Sequence, residues 1–345
     1  MPNAVVRAAL DRVAGREDLT ADDAAAVLLE VMEGRASEAE TAALLIALRT
    51  KGETVAEVVG LARTMRSLAV GVEGASEDLL DTAGTGGGRP TFNVSTTAAF
   101  IAAGAGCSVA KHGNRSATGL SGSADVLEAL GARIDLEPRG VADCIDSVGF
   151  GFMFAPQHHQ AMRHVVPVRK ALGVRTVFNL LGPLTNPAGA ARQLIGVSDA
   201  ATMATIASAL ADLGGRTALV VSSEDGLDEI SVSGATLAVE LKDGGTNRMT
   251  LTPEQFGVDR AAPDALGPGT PEQNAAVTRA VIEGGGRTAE RDVALLNAGA
   301  AVYVAGRAES IEAGVARARE AVDSGAAAAA LARFVRRTNE LAPAR

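Results

Sequence analysis

Two cysteines, Cys107 and Cys144, are the only thiols in 345 residues. They make neither a disulfide framework nor a metal cluster, and both sit in apolar stretches that read as buried, reduced thiols. No stretch approaches the roughly 18 uninterrupted apolar residues that argue for a membrane span. The first residues lack a basic segment followed by an apolar one, so no secretory signal is visible and a cytoplasmic compartment is expected. Positive charge is scarce: 32 Lys and Arg against 41 Asp and Glu give a formal net charge of −9. That balance disfavours a nucleic-acid partner for the whole molecule. Tryptophan is absent and Tyr303 is the single tyrosine, which decides nothing by itself.

What is present is apolar, glycine-rich and too long for one ordinary core, so two domains are expected. Residues 1–70 read as helices joined by tight turns. Thr20 and Asp23, Ser37 and Glu40, and Thr54 and Glu57 carry the spacing of capping boxes. Gly15, Gly34 and Gly52 stand where helices should stop, and Val27, Leu28, Val31 and Met32 recur at helical spacing. Residues 71–78 read as a crossing. Beyond it the texture alternates between β-type runs and Ala-rich helices. Candidate strands are 78–82, 107–110, 132–136, 150–155, 192–197, 217–223 and 235–241, joined by the helical crossovers of a mainly parallel sheet. Helices over 271–283 and 292–304 should cover it. The expected fold is therefore α/β, a small N-terminal helical domain plus a larger α/β domain over 75–345.

Three loops carry the chemistry. The first follows a short apolar run and holds Gly84, Gly86, Gly87 and Gly88 before Asn93-Val94-Ser95-Thr96 opens a helix. Bare backbone followed by a helix start presents free N–H groups to an anion. It is neither a Walker loop, lacking the Lys, nor a dinucleotide fingerprint, having Arg89 where a third glycine belongs. Alone it would pass for a glycine-rich surface turn. The second loop, Lys111-His112-Gly113-Asn114-Arg115, leads into Ser116, Thr118, Ser121 and Ser123, supplying cations and hydroxyl donors suited to polyphosphate. Ser123 is placed to cap a helix over 124–130. The third follows the run 217–223 and contains Asp225, Asp228 and Glu229. Adjacent carboxylates suit Mg²⁺, which takes one or two of them plus substrate phosphates, although spacing alone equally describes an exposed acidic turn. Such loops gather at the carboxyl edge of an open parallel sheet.

At these residues the chain resembles the anthranilate phosphoribosyltransferases, tryptophan-pathway members of the class III phosphoribosyltransferases (glycosyltransferase family 3, nucleoside phosphorylase-like in plan). The matching motifs are Gly84-Thr85-Gly86-Gly87, Asn93-Val94-Ser95-Thr96, Lys111-His112-Gly113-Asn114 and Val168-Arg169-Lys170. They continue through Arg175–Pro187 and Asp225-Gly226-Leu227-Asp228-Glu229, in the family's order over nearly the whole chain. The resemblance implies transfer of a phosphoribosyl group from phosphoribosyl pyrophosphate to anthranilate with Mg²⁺ as cofactor. By position, Gly84, Gly87, Gly88, Thr91, Asn93, Val94, Ser95, Thr96, Lys111, His112, Gly113, Asn114, Arg115, Ser116 and Ser123 would meet the phosphoribosyl substrate. Asp228 and Glu229 would hold Mg²⁺, with the Ser95 hydroxyl on another ion. Arg169 would clamp the anthranilate carboxylate, with Asn114 at its amine and Gly84 beside it; Lys111, Arg169 and Asn114 are the catalytic candidates. The other reading of Arg169 is an ion pair on a basic stretch with Arg163, Lys170 and Arg175. Of the four histidines, His112 reads as pocket-lining and 158, 159 and 164 as ordinary helix residues. The family also implies that segment 157–190 returns to the helical domain, and that the molecule is a homodimer through that domain.

One departure stands out. The family usually has Asp after its Gly-Thr-Gly-Gly, whereas here Gly88-Arg89-Pro90 follows and the loop is one residue short. Arg89 should take a phosphate contact or face solvent. Two alternatives use the same plan: a pyrimidine nucleoside phosphorylase, against which the Lys111–Asn114 and Leu181–Pro187 motifs argue, and a non-catalytic nucleic-acid-binding relative, against which the acidic balance argues.

Overall fold

The computed structural model describes residues 2–73, 78–116 and 119–342. Four helices open the chain: α1 (Ala4–Ala14), α2 (Ala21–Met32), α3 (Glu38–Lys51) and α4 (Val55–Ser67). The three capping boxes form at Thr20, Ser37 and Thr54. Each satisfies donors that the first turn of a helix leaves free. Part of the expected crossing, residues 74–77, lies outside the described residues.

The α/β part then runs β1 (Leu79–Gly84), α5 (Val94–Gly104), β2 (Ser108–Gly113), α6 (Ser123–Ala129), α7 (Pro138–Val148) and β3 (Phe150–Phe154). After these come the short α8 (Ala155–His158), α9 (Val166–Leu172) and α10 (Phe178–Leu181). It continues through β4 (Arg192–Gly196), α11 (Met203–Asp212), β5 (Thr217–Ser223), β6 (Thr236–Lys242) and β7 (Gly245–Leu251). Four helices close it: α12 (Pro271–Ile282), α13 (Thr288–Val304), α14 (Ile311–Asp323) and α15 (Ala326–Leu341). The seven strands lie in the order β3-β2-β1-β4-β5-β6-β7. The first five are parallel, while β6 and β7 add an antiparallel edge. Strand order reverses between β1 and β4, so the crevice for a ligand opens at their carboxyl ends. Both strands end there in glycine, with Gly84 opposite Gly196.

Two expectations about strands are corrected. Residues 132–136 form no strand. Ala132, Ile134 and Leu136 are buried in alternation, but this extended run lies along α15, where the Arg133 N–H donates to the Thr338 hydroxyl at 3.1 Å. The alternation is that of a half-buried extended chain whose partner is a helix. Conversely, β7 lies outside the expected strands because its side chains are mostly polar and exposed. Its signal was the Asp243-Gly244 pair: both residues have positive φ, 51° and 76°, as a tight hairpin turn requires.

One face of the sheet is covered by α5, α7, α13 and α15. On the other, α11 and helices α1–α4 share a core with Val165, Val168, Val177, Phe178, Leu181 and Leu184 of the 157–190 segment. Backbone bonds at the crossing, Val70 N–H to the His158 carbonyl and Val72 N–H to the Pro187 carbonyl, bring that segment to the rim of the crevice.

Candidate active site

A cleft of about 1140 Å³ opens over the β1–β4 switch point. The glycine loop forms its floor. Gly86 and Gly87 have φ of 65° and 85°, a left-handed conformation that costs glycine little. The loop curls round Asp228: the Gly86 N–H donates to the carboxylate, and a Cβ on Gly88 would stand 2.5 Å from Oδ1 of Asp228. From the neighbouring strand, Gly196 admits the Asp228 backbone in the same way. The acidic loop is held from behind by Asn297 of α13, which accepts from Ile230 N–H at 2.9 Å and donates to its carbonyl at 3.0 Å.

Asp228 and Glu229 are partly buried rather than an exposed turn. Burial raises the pKa of both, and the charge of Asp228 raises that of Glu229 further. Arg175 opposes the shift at Asp228; Lys111 and the Ser95 N–H oppose it at Glu229. The Ser95 N–H belongs to the first turn of α5, so a helix N-terminus faces this carboxylate.

Lys111 borders the cleft but opens little surface to it. It is 1 % exposed, its ammonium bonded to the Thr82 carbonyl and hydroxyl and to Ser95 Oγ at 3.3 Å. Burial lowers its pKa, and the charges of Asp81 and Glu229 hold it up. Asp81, wholly buried, is pushed up to about 6 by burial, although Lys111, the Asn186 amide and the His112 N–H support its charge. Lys111 is thus first a buried counter-charge that orients Ser95.

Other expected residues line the cleft in different ways. Gly84, Thr91, Val94, His112, Gly113, Asn114, Ser116, Ser123 and Arg169 border it. Thr96 does not: as the third residue of α5 it faces the core and is fully buried. Asn93 occupies the N-cap position of α5 without a capping side-chain bond. It accepts instead from Ser121 Oγ at 3.0 Å and from Asn274 at 2.9 Å, joining the loop to α12. Ser123 is the first residue of α6, with Gly122 as its N-cap, so its hydroxyl is left to the cleft. Arg115 reaches the rim, but its guanidinium pairs with Asp125 at 2.8 Å and Glu128 at 2.6 Å and supplies little free charge. Thr118 lies outside the described residues.

Arg169 borders the cleft half-buried, its guanidinium carbon 5.6 Å from the Phe178 ring centre. No ion pair to it occurs among the described residues, and burial lowers its pKa. Arg175 is a residue that sequence reasoning left in a basic stretch. It donates to the Gly86 carbonyl at 2.9 Å and is tied to α3 by Arg49, which donates to its carbonyl at 2.9 Å. His159, read as an ordinary helix residue, is buried against the cleft, its ring centre 5.1 Å from that of His112. Burial pushes these two histidines down to about 4 and about 3, so both are neutral near pH 7. Arg89 borders the cleft with its side chain 26 % exposed, and it pairs with Asp225 at 3.1 Å.

Comparison with known proteins follows the same lines. The α/β-domain model of the glycosyl transferase family matches residues 76–328, and its helical-bundle-domain model residues 7–69. The chain is 56% identical over 339 residues to the anthranilate phosphoribosyltransferase of Rubrobacter xylanophilus, covering 98% of this chain and 99% of that one. The crystal structure of the Thermus thermophilus enzyme of that name aligns with a TM-score of 0.91 at 44% identity, over 96% of this chain and 99% of the other. The Saccharomyces cerevisiae enzyme, in complex with PRPP and Mg, aligns with a TM-score of 0.88 at 27% identity, over 98% and 99%.

Proposed function

The chain belongs to the glycosyl transferase family of the anthranilate phosphoribosyltransferases, and from that membership and its cleft we infer which residues carry the reaction. The reaction is transfer of the phosphoribosyl group from phosphoribosyl pyrophosphate to the amine of anthranilate, a step of tryptophan biosynthesis that releases pyrophosphate.

Breaking the ribose C1–O bond develops positive character in the sugar and negative charge on the departing pyrophosphate. Preorganised donors are most useful where that charge grows. The glycine-loop amides, the α5 N-terminus and the hydroxyls of Ser95, Ser116 and Ser123 line the cleft and would receive the phosphates. Asp228, Glu229 and the Ser95 hydroxyl would hold Mg²⁺, which when bound neutralises charge on the pyrophosphate. These residues fit such an ion: two adjacent carboxylates with raised pKa values lack sufficient cationic balance. No group of three or more His, Cys, Asp or Glu side chains that could hold a metal occurs among the described residues. That donor set suits an ion that arrives with phosphate oxygens.

Arg169 would grip the anthranilate carboxylate with its planar fork, with Asn114 and Gly84 near the amine. The arylamine is neutral near pH 7, so it needs no strong base before attack. The neutral His112 and His159 fit a site that works by placement and electrostatics rather than by acid–base exchange. A homodimer through the helical domain and a cytoplasmic location complete the proposal. The half-exposed Val5 and Ile46 on the outer side of that domain support the first; no helix among the described residues is long and apolar enough to cross a membrane.

The observation that carries this reading is the wrapping of the glycine loop around Asp228 at the switch point. The test follows anthranilate fluorescence. Loss that requires both phosphoribosyl pyrophosphate and Mg²⁺ is expected; folded protein without turnover would overturn the reading.

A further inference from the structure

Arg89 stands where the family's usual loop differs; it borders the cleft, and its hydrogen bonds run to residues outside the lining. Its backbone N–H donates to the Gly226 carbonyl at 2.7 Å. Its guanidinium donates to Asp225 Oδ2 at 3.1 Å and to the carbonyls of Pro263 and Leu266. The same Asp225 oxygen also accepts from the Ser231 hydroxyl at 2.8 Å. Side-chain exposure is 26 % for Arg89 and 11 % for Asp225, low enough for such a pair to be more than a solvated surface contact. One residue therefore joins three segments: the glycine loop, the loop that bears Asp228 and Glu229, and the stretch that leads to Pro268 and Gly269 on the cleft wall. The bond from Arg89 to Asp225 runs beside the close approach of Gly88 to Asp228, one residue along on one loop and three on the other.

We propose that Arg89 is a positioning residue that clasps the glycine loop to the acidic loop through Asp225, fixing the spacing between the phosphate-facing amides and the Asp228–Glu229 pair. This rests on the assignment of those two loops to phosphoribosyl pyrophosphate and Mg²⁺. A cation at this place works through geometry, because its charge is already matched by Asp225 and two carbonyls. The glycine loop then does not move independently of the carboxylates, and phosphate amides and metal ligands are aligned together before the substrate arrives.

The test compares Arg89→Ala, Arg89→Lys, Asp225→Asn and the double variant Arg89→Ala/Asp225→Asn in the full chain. Calorimetry reads phosphoribosyl pyrophosphate binding in the presence of Mg²⁺, and steady-state kinetics read the Mg²⁺ half-saturation and both Michaelis constants. Loss of a charge-assisted bond of this kind should weaken phosphoribosyl pyrophosphate binding about tenfold and raise the Mg²⁺ requirement similarly. The Michaelis constant for anthranilate at saturating phosphoribosyl pyrophosphate should change by less than about twofold. Asp225→Asn should reproduce part of the effect, the double variant should be no worse than Arg89→Ala because the Arg89–Asp225 bond is already lost in that single variant, and Arg89→Lys should recover part of it. If Arg89→Ala does not fold, Arg89→Lys and Asp225→Asn carry the comparison. Unchanged phosphoribosyl pyrophosphate affinity, strictly additive losses, or a defect confined to anthranilate would overturn the clasp. Absence of turnover in the unaltered protein would instead overturn the assignment of the reaction, since the binding measurements stand without it.

Discussion

Gly196 and Asp228 pass so close that no side chain fits between them: a Cβ on Gly196 would overlap the carbonyl oxygen of Asp228. The end of β4 therefore sets where the acidic loop lies. Gly196→Ala must push that loop out of place, because the obstacle is backbone. Overpacking of this kind costs about 1–3 kcal/mol. Turnover should fall at least about a hundredfold, beyond what the stability loss explains, because placement at the reacting centre is lost. Melting temperature and kcat/KM measured on the same preparation check this; normal turnover would mean that the loop tolerates displacement.

Neutralising the acidic pair separates function from stability. Asp228→Asn with Glu229→Gln should reduce turnover by orders of magnitude at limiting Mg²⁺. The melting temperature near pH 8 should hold or rise, because burial already disfavours both charges and Asp228 disfavours that of Glu229. A large drop in melting temperature, measured by calorimetry, would contradict the electrostatics described here.

Lys111 behaves as a buried counter-charge, so its loss should first be felt as instability. Lys111→Met leaves Asp81 and Glu229 without their shared cation. Breaking a buried charge arrangement on one side costs roughly 3–5 kcal/mol. The deficit should be smaller near pH 5.5 than near pH 8, since the two carboxyl groups can then take up protons. Chemical denaturation at the two pH values measures the difference; equal deficits would contradict the pairing.

His159 supplies a pH dependence with a definite sign. Burial depresses its pKa from 6.5 to about 4, so between those values the unfolded chain binds a proton that the folded chain refuses. Stability from this group is present above pH 6.5 and is lost as pH falls toward 4. From about pH 7.5 to about pH 5 the loss is about 2 kcal/mol. The comparison of unaltered protein with His159→Gln reads this group together with its effect on the neighbouring His112 and His158. The variant should show the shallower decline, and parallel curves would contradict the burial of a neutral imidazole.

Much of this was legible in the sequence because it depends on neighbours in the chain. Thr20, Ser37 and Thr54 announce helix starts through residues three positions on. Gly84–Gly88 followed by Asn93–Thr96 announces a strand, an anion loop and a helix. What was not legible depends on partners far along the chain. Lys111 is as cationic on paper as Arg169 and both border the cleft, yet only the fold reveals that Lys111 is almost wholly buried beside the charges of Asp81 and Glu229. Arg115 reads as a phosphate ligand until α6 brings Asp125 and Glu128 against it. Gly196 and Asn297 carry no motif, since one acts by lacking a side chain and the other by meeting a backbone 67 residues away. Asp243-Gly244 forms the turn before β7, but the exposed polar side chains of that strand concealed it.

The division of the cleft between a polyphosphate end at the glycine loop and a carboxylate end at Arg169 is tested most directly by calorimetric titration of phosphoribosyl pyrophosphate into Arg169→Ala. Removing a guanidinium fork that serves anthranilate alone should leave phosphoribosyl pyrophosphate affinity within about twofold, while the Michaelis constant for anthranilate rises about tenfold or more. Collapse of phosphoribosyl pyrophosphate binding in that variant would contradict the division, because Arg169 would then organise the whole cleft.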